Sequence, residues 1–246
     1  MSDGALLEGH ISVEAALRGR SRPIHRVLMA SEGVRAEREA RRIRSLAAAA
    51  GIPVELQPRA IIDELASGRS HGGIIAEVGE RYLVPLVELA VDAAFVVMLD
   101  GIEDPYNFAA ALRSLYAAGA TGLVMRPRSW TTATAVVARA SAGASELLPT
   151  AEADDPALAT AELARTGLRS VIAAERRDAI SVYEADLIGP LFLLIGGERR
   201  GVMRAAIDAA DTIVRIPYAR SDAPSLGTAA AAAVIGFEVM RQRSGS

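Results

Sequence analysis

Short apolar stretches alternate with amphipathic, helix-like stretches along almost the whole chain. Strands are predicted at 25–30, 53–56, 73–78, 94–100, 122–126, 169–174, 191–196 and 211–217. Helices are predicted at 34–50, 59–67, 105–118, 132–140 and 225–242. Strands that alternate with helices are typical of an α/β fold with a mainly parallel sheet.

The stretch 79–93, GERYLVPLVELAVDA, separates two alternating blocks. We therefore expect a small α/β domain at 1–80, a linker at 81–92 and a larger domain at 93–246. In open parallel sheets, ligands gather beyond the carboxyl ends of the strands. In the larger domain this rule selects the turns after Asp100, Ile195 and Ile216.

The composition narrows the class of protein. Hydrophobic residues make up 51% of the chain, which is enough for a sizeable core, and no apolar run approaches the ~18 residues that span a bilayer. The first residues lack the pattern of a signal peptide. The absence of cysteine excludes disulfides, cysteine nucleophiles and thiolate metal sites. We expect a cytoplasmic protein with no membrane segment and, since the three histidines are widely spaced, no metal site.

The basic residues are unevenly placed. All 27 are arginine, and residues 18–44 hold nine of them against three glutamates. Such a stretch could meet phosphates, although a solvated helix face is the more frequent outcome. Because the net charge of the chain is −3, any affinity for nucleic acid must be local.

The turn after Asp100 reads LDGIEDPYNFAAALRS from 99 to 114. Asp104 is suited to cap a helix and Pro105 to occupy its first position. Arg113 lies off the apolar stripe of this helix. It could approach Asn107 only if Asn107 sits in an irregular first turn, because six residues cover about 240° of an ideal helix. Taken alone, the stretch favours a capped helix with a surface arginine.

The other two turns are also weak signals singly. LIGGERRGVM at 194–203 has glycines at a strand end and Glu198 at its rim, but it matches neither a dinucleotide fingerprint nor a P-loop. In the third, Ser225 is the predicted N-cap of the final helix. Gly227 would then lie in the first turn, at a cost of roughly 1 kcal/mol against alanine.

Together and in this order, the three turns resemble motifs of the SpoU/TrmH family of RNA ribose 2′-O-methyltransferases, in the SPOUT superfamily. The matching segments are DGIEDPYNFAAALR, GGERRG and SLGTAAA, with ARASAGASELLP at 138–149 between the first two. The N-terminal LLEGHISVEAALRGRSRPIHRVLMAS and SHGGIIAEV resemble the ribosomal-protein-like substrate-binding domain of many members. The likeness covers nearly the whole chain.

The resemblance implies a fold and a reaction. The larger domain would be a SPOUT domain with a deep trefoil knot, working as a homodimer. S-adenosylmethionine would be held by backbone groups around Gly196, Ile216 and Leu226, and the acceptor would be a ribose 2′-hydroxyl, with ribosomal RNA favoured over transfer RNA.

The resemblance also implies the catalytic residues. Arg113 would contact an RNA phosphate, because a guanidinium stays protonated and is a poor general base. Asn107 and Glu198 would orient the arginine and the loops. Ser225 would form a hydrogen bond to the cofactor or the ribose.

Some positions depart from the family pattern. Gly227 stands where the family has asparagine, Ala229 where it has serine and Ala109 where it has glycine. These departures leave open a non-catalytic RNA-binding relative of the same fold. A base-modifying SPOUT enzyme is disfavoured by the spacing of Asn107 and Arg113, and a dehydrogenase by the absent glycine fingerprint.

Overall fold

The computed structural model describes residues 4–33, 37–68, 70–127, 133–197, 201–220, 222 and 225–245. The strands are β1 (Ala5–Glu8), β2 (Ile24–Ala30), β3 (Val54–Gln57), β4 (Ile74–Val78), β5 (Phe95–Asp100), β6 (Gly122–Met125), β7 (Thr150–Glu152), β8 (Arg169–Ala173), β9 (Ile180–Ser181), β10 (Leu191–Gly196) and β11 (Thr212–Arg215). The α-helices are α1 (His10–Gly19), α2 (Glu37–Ala49), α3 (Arg59–Leu65), α4 (Pro105–Ala117), α5 (Thr134–Ala140), α6 (Ala144–Leu147), α7 (Pro156–Arg165), α8 (Arg204–Asp208) and α9 (Thr228–Ser244). A 3₁₀-helix covers Leu86–Leu89.

These elements form two compact units. The first consists of the described residues of 1–82 and 129–147, and the second of those of 83–128 and 148–246. The segment with α5 and α6, which the sequence places in the later part of the chain, therefore packs with the N-terminal elements. No helix among the described residues is long and apolar enough to cross a membrane.

The first unit is built on a mixed sheet. Its strand order is β1-β4-β2-β3, in which β2 and β3 are parallel and the other pairs antiparallel. One apolar cluster includes Val13 of α1, Val27 of β2, Ile43 of α2 and Ala138 of α5. Each of these helices has its apolar residues on one face and buries that face against the sheet.

The second unit contains a seven-stranded parallel sheet of order β7-β6-β5-β10-β8-β11-β9. The central strands β5 and β10 are apolar and buried along most of their length, apart from Asp100 and Gly196 at their ends, since both of their faces are covered. Alternate residues such as Met98 and Leu194 pack with α7, α8 and the 3₁₀-helix. On α9, the missing side chain of Gly236 admits Leu115 of α4. The predicted α/β class with a parallel sheet is confirmed.

The element boundaries correct several predictions. The final helix begins at Thr228 and ends at Ser244 rather than covering 225–242. The helix predicted at 34–50 is described from Glu37 to Ala49. The sequence pattern did not predict strands β1, β7 and β9 or helices α1, α6, α7 and α8. The three strands, α6 and α8 have at most five residues each, whereas α1 and α7 have ten.

Candidate active site

The first turn fixes the start of α4. The Asp104 carboxylate accepts a hydrogen bond from the backbone N–H of Asn107 at 2.7 Å, and Pro105 is the first helical residue. This confirms the predicted cap and the predicted proline position. Each supplies what a helix start needs, since the cap satisfies an otherwise unpaired N–H and proline has none to satisfy.

The first and second turns meet through their backbones. A Cβ atom on Gly197 would lie 2.3 Å from the carbonyl oxygen of Gly101, and one on Gly196 would lie 2.3 Å from the carbonyl carbon of Gly201. Gly201 also donates its N–H to the Gly197 carbonyl at 2.9 Å. Such contacts leave no room for a side chain, which explains the paired glycines after β10.

The third turn reaches the second through Thr228. The buried Thr228 hydroxyl donates to the Gly196 carbonyl at 3.4 Å. The Leu226 N–H donates to the Tyr218 hydroxyl at 3.0 Å, which closes the stretch between β11 and α9. The first turn contacts Gly197 and the third contacts Gly196, so the three turns selected from the sequence meet at the backbone of these two glycines.

The predicted role of Ser225 as N-cap is wrong. The N-cap of α9 is Gly227, which has no side chain to form a capping hydrogen bond. Glycine is well tolerated at this position, so the expected cost of Gly227 inside the helix does not arise. Ser225 lies two residues earlier and is exposed, which leaves its hydroxyl outside the helix start.

An arginine that the sequence did not single out holds the first turn. Arg126 follows β6 and donates from Nε and Nη2 to the two carboxylate oxygens of Asp100, at 2.5 and 3.2 Å. The Asp100 side chain is buried, and the hydrogen bonds that it accepts raise the pKa of Arg126 above its usual value. Asp100 is the last residue of β5, and Arg126 directly follows the neighbouring parallel strand β6, so the sheet brings the two side chains to the same edge.

Arg113 and Asn107 both lie on the exposed side of α4. Among the described residues, neither side chain has a hydrogen-bonding or ionic partner. Because Asn107 lies inside the regular helix, the two side chains leave the axis about 120° apart. The structure does not bring them together, so any joint action requires a ligand that contacts both.

The three predicted cofactor positions lie in the second and third turns. At Gly196 the backbone of Gly201 fills the space of a side chain and the carbonyl accepts from Thr228, whereas Ile216 is half-buried with no hydrogen bond to the rest of the described chain. Open backbone groups of this kind can hold a ligand through N–H and C=O contacts. Leu226 differs, since its N–H is taken by Tyr218 and only its carbonyl is free of the contacts described.

Glu198, which was predicted to orient the site, lies outside the described residues.

Comparisons with known proteins cover both units. Residues 94–237 match the SpoU rRNA Methylase family, and residues 6–83 match the family described as RNA 2′-O ribose methyltransferase substrate binding. The 23S rRNA (guanosine-2′-O-)-methyltransferase RlmB of Pseudomonas aeruginosa is 33% identical over 250 residues, which cover 99% of each chain.

Two further similarities extend the comparison. An uncharacterized tRNA/rRNA methyltransferase of Mycobacterium avium is 36% identical over 82% of this chain and 66% of its own. The crystal structure of the SpoU methyltransferase AviRb from Streptomyces viridochromogenes, in complex with the cofactor AdoMet, has a TM-score of 0.77 at 25% identity. That match covers 98% of this chain and 91% of the other.

Proposed function

We propose that this chain, which belongs to the SpoU rRNA methylase family, transfers a methyl group from S-adenosylmethionine to a ribose 2′-hydroxyl of RNA. The observation that carries the proposal is the convergence of the three turns on the backbone of Gly196 and Gly197. The acceptor is ribosomal RNA, as the full-length similarity to a 23S rRNA methyltransferase supports. The reaction takes place in the cytoplasm.

The backbone at Gly196 and Ile216 would hold the cofactor, with the carbonyl of Leu226 as a further contact. The open backbone of Ile216 suits a ligand bound through N–H and C=O groups, and the glycine at position 196 lets the backbone of Gly201 approach the same turn. When bound, S-adenosylmethionine supplies a methyl group on a positively charged sulfur. A trefoil knot in the second unit is part of this proposal.

The residues of the chain position the acceptor and manage its proton. Arg113 binds an RNA phosphate beside the acceptor ribose through two parallel N–H contacts. Since its guanidinium stays protonated, the 2′-hydroxyl proton passes to that phosphate or to water. Asn107 and Glu198 orient Arg113 and the loops, and Ser225 forms a hydrogen bond to the ribose or the cofactor. Positioning of this kind accounts for much of catalysis in an in-line displacement.

We also propose that the chain acts as a homodimer. The outward side of α9 carries Ala230, Phe237 and Met240, which are exposed and separated by helical spacing. An apolar stripe on a surface helix is suited to burial against a second copy. Sedimentation velocity of the purified chain measures the oligomeric state, and a monomer at micromolar concentration contradicts this part of the proposal.

Calorimetric titration with S-adenosylmethionine and S-adenosylhomocysteine tests the proposed function. We expect dissociation constants on the order of micromolar. Transfer of a labelled methyl group to ribosomal RNA is the second readout. Failure of the folded protein to bind either ligand would overturn the proposal in favour of a non-catalytic RNA-binding relative.

The Gly227→Asn variant is the matched control for that outcome. Asparagine is a good N-cap, so the substitution preserves the start of α9. Cofactor binding by Gly227→Asn but not by the parent would identify Gly227 as the cause of the loss.

A further inference from the structure

A groove lies between α1 and α2 in the first unit and has a volume of about 430 Å³. One wall is formed by His10, Ile11, Glu14, Ala15 and Arg18 of α1, and the other by Arg38, Glu39 and Arg42 of α2, with Ala142 and Leu147 also in the lining. We call this site the α1–α2 groove. None of the residues given a role in methyl transfer lines it.

The charges of the α1–α2 groove are arranged around one carboxylate. The Glu14 carboxylate forms an ion pair with Arg42 at 3.1 Å and a longer one with Arg18 at 3.7 Å. The side chains of Arg42 and Arg18 are 58% and 53% exposed, so both guanidiniums keep donors directed to solvent. Arg38 is exposed and has no carboxylate partner among the described residues. Three guanidiniums thus face two carboxylates, Glu14 and Glu39.

The other arginines of the first unit behave differently. Those described outside the region around the groove each have a carboxylate partner. The pairs are Arg26 with Glu55 and Glu77, Arg59 with Asp63, Arg139 with Glu8, and Arg22 and Arg81 with Glu146. Within the described part of this unit, the arginines without one are Arg20, Arg38, Arg41 and Arg44. They all belong to the end of α1 or to α2, so positive charge that is not neutralised is concentrated there.

Arg38 and Arg42 are also well spaced for a repeating anion. They stand one helical turn apart on α2, where side chains at i and i+4 are about 6 Å apart. Arg41 shares the exposed side of the same helix. Guanidiniums make paired hydrogen bonds to phosphate oxygens, and a row of them matches the backbone of a nucleic acid better than a single small anion.

We propose that the α1–α2 groove binds the sugar-phosphate backbone of the RNA substrate. This inference rests on the proposed function and adds a surface in the first unit that binds the RNA through residues with no role in methyl transfer. Contacts of this kind fix the position of the RNA without reading its bases. Arg38 and Arg42 bind phosphates directly, and Glu14 is a positioning residue that holds Arg42 and Arg18 toward the groove.

Fluorescence anisotropy with a labelled RNA hairpin tests this inference. The full chain is compared with the double variant Arg38→Gln/Arg42→Gln between about 50 and 200 mM salt. We expect binding to weaken about tenfold at the lowest salt. The slope of log K against log salt should fall by roughly two, since each phosphate contact contributes about 0.9.

Two matched variants control the result. Arg59→Gln/Arg165→Gln removes the same charge from outside the groove and should bind RNA like the parent. Arg38→Lys/Arg42→Lys keeps the charge and should retain most of the affinity. Thermal midpoints near that of the parent confirm that these substitutions leave the fold intact.

The outcomes separate this inference from the proposed function. The proposal that the α1–α2 groove binds RNA is overturned if Arg38→Gln/Arg42→Gln binds RNA as tightly as the parent. It is also overturned if the control double variant is weakened to the same extent. Binding of polyglutamate instead of RNA, lost in the same variant, overturns RNA as the occupant. If the parent binds neither RNA nor S-adenosylmethionine, the proposed function itself fails, and the groove assignment fails with it.

Discussion

Two buried carboxylates, one in each unit, hold arginines in contrasting ways. In the first unit, Glu146 accepts hydrogen bonds from Arg22, Arg81 and Ser21, and its side chain is 1% exposed. In the second unit, Asp100 has one arginine partner among the described residues, Arg126, whose side chain is 32% exposed. Arg113, on the helix that follows Asp100, has no carboxylate partner in the described residues.

The contrast separates arginines that support the fold from arginines that remain available to a ligand. Around Glu146 each oxygen accepts at least two hydrogen bonds, and the arginines that donate them are largely buried. These arginines therefore have few hydrogen-bond donors left for a substrate. At the Asp100 turn one arginine orders the backbone, while Arg113 keeps its donors in solvent. We therefore expect damage at the first site to change stability and damage at the second to change activity.

The largest expected effect is on the stability of the first unit. Glu146→Ala leaves two largely buried guanidiniums without their counterion. Removing one partner of a buried ion pair costs about 3–5 kcal/mol in free energy of unfolding. Urea denaturation, followed by circular dichroism, should show a much lower midpoint for the transition of this unit.

Glu55→Ala is the matched control for Glu146→Ala. Glu55 also binds an arginine, Arg26, but both side chains are 39% exposed and Arg26 keeps Glu77. Exposed pairs of this kind contribute little to stability. The urea midpoint of Glu55→Ala should stay near that of the parent. Equal midpoints for the two variants would show that the Glu146 network adds no net stability.

The next effect is on methyl transfer. Arg113→Ala should lower the rate of RNA methylation at least ~10²-fold, as loss of a group that positions charge at the reacting centre does elsewhere. Because the side chain is exposed and has no partner in the described chain, the urea midpoint and the affinity for S-adenosylmethionine should barely change.

Arg165→Ala removes the same charge from the end of α7 and should methylate RNA at the parent rate. Loss of folding or of cofactor binding in Arg113→Ala would contradict a role limited to RNA. A rate equal to that of Arg165→Ala would remove Arg113 from the catalytic residues.

The sequence predicted those parts of the molecule whose signals are local. The start of α4 could be predicted because Asp104 and Pro105 are themselves the cap and the first turn. The convergence of three turns followed from the rule that the carboxyl ends of parallel strands share an edge. The predicted N-cap of α9 was wrong because Ser225 and Gly227 both suit that position. The hydrogen bond from Thr228 to Gly196 fixes Thr228 as the first helical residue and so favours Gly227 as the cap.

Contacts between residues far apart along the chain were not predictable. Arg126 and Asp100 are 26 residues apart, and Arg22 and Glu146 are 124 residues apart. No pattern of hydrophobic and polar residues along the chain distinguishes Arg126 and Arg22 from the arginines on the surface. The packing of α5 and α6 with the N-terminal elements depends on close backbone contact, since a Cβ on Gly19 would lie 1.8 Å from the Glu146 carbonyl oxygen.

The smallest expected effect is a difference in acid sensitivity at Glu146. Burial opposes ionisation of this carboxyl, but Arg81 and Arg22 outweigh burial and hold its pKa below the usual range. A carboxyl whose pKa is lower in the folded state contributes full stability above its unfolded pKa of about 4.3, and loses it as the pH falls through the folded pKa. The free energy of unfolding of the parent, from urea titrations, should therefore fall more steeply below about pH 5 than that of Glu146→Gln, by at most about 1.4 kcal/mol per pH unit. Other carboxyls titrate equally in both proteins and cancel, so a difference that stays constant from pH 7 to about pH 3 would show that Glu146 is not ionised against its arginines.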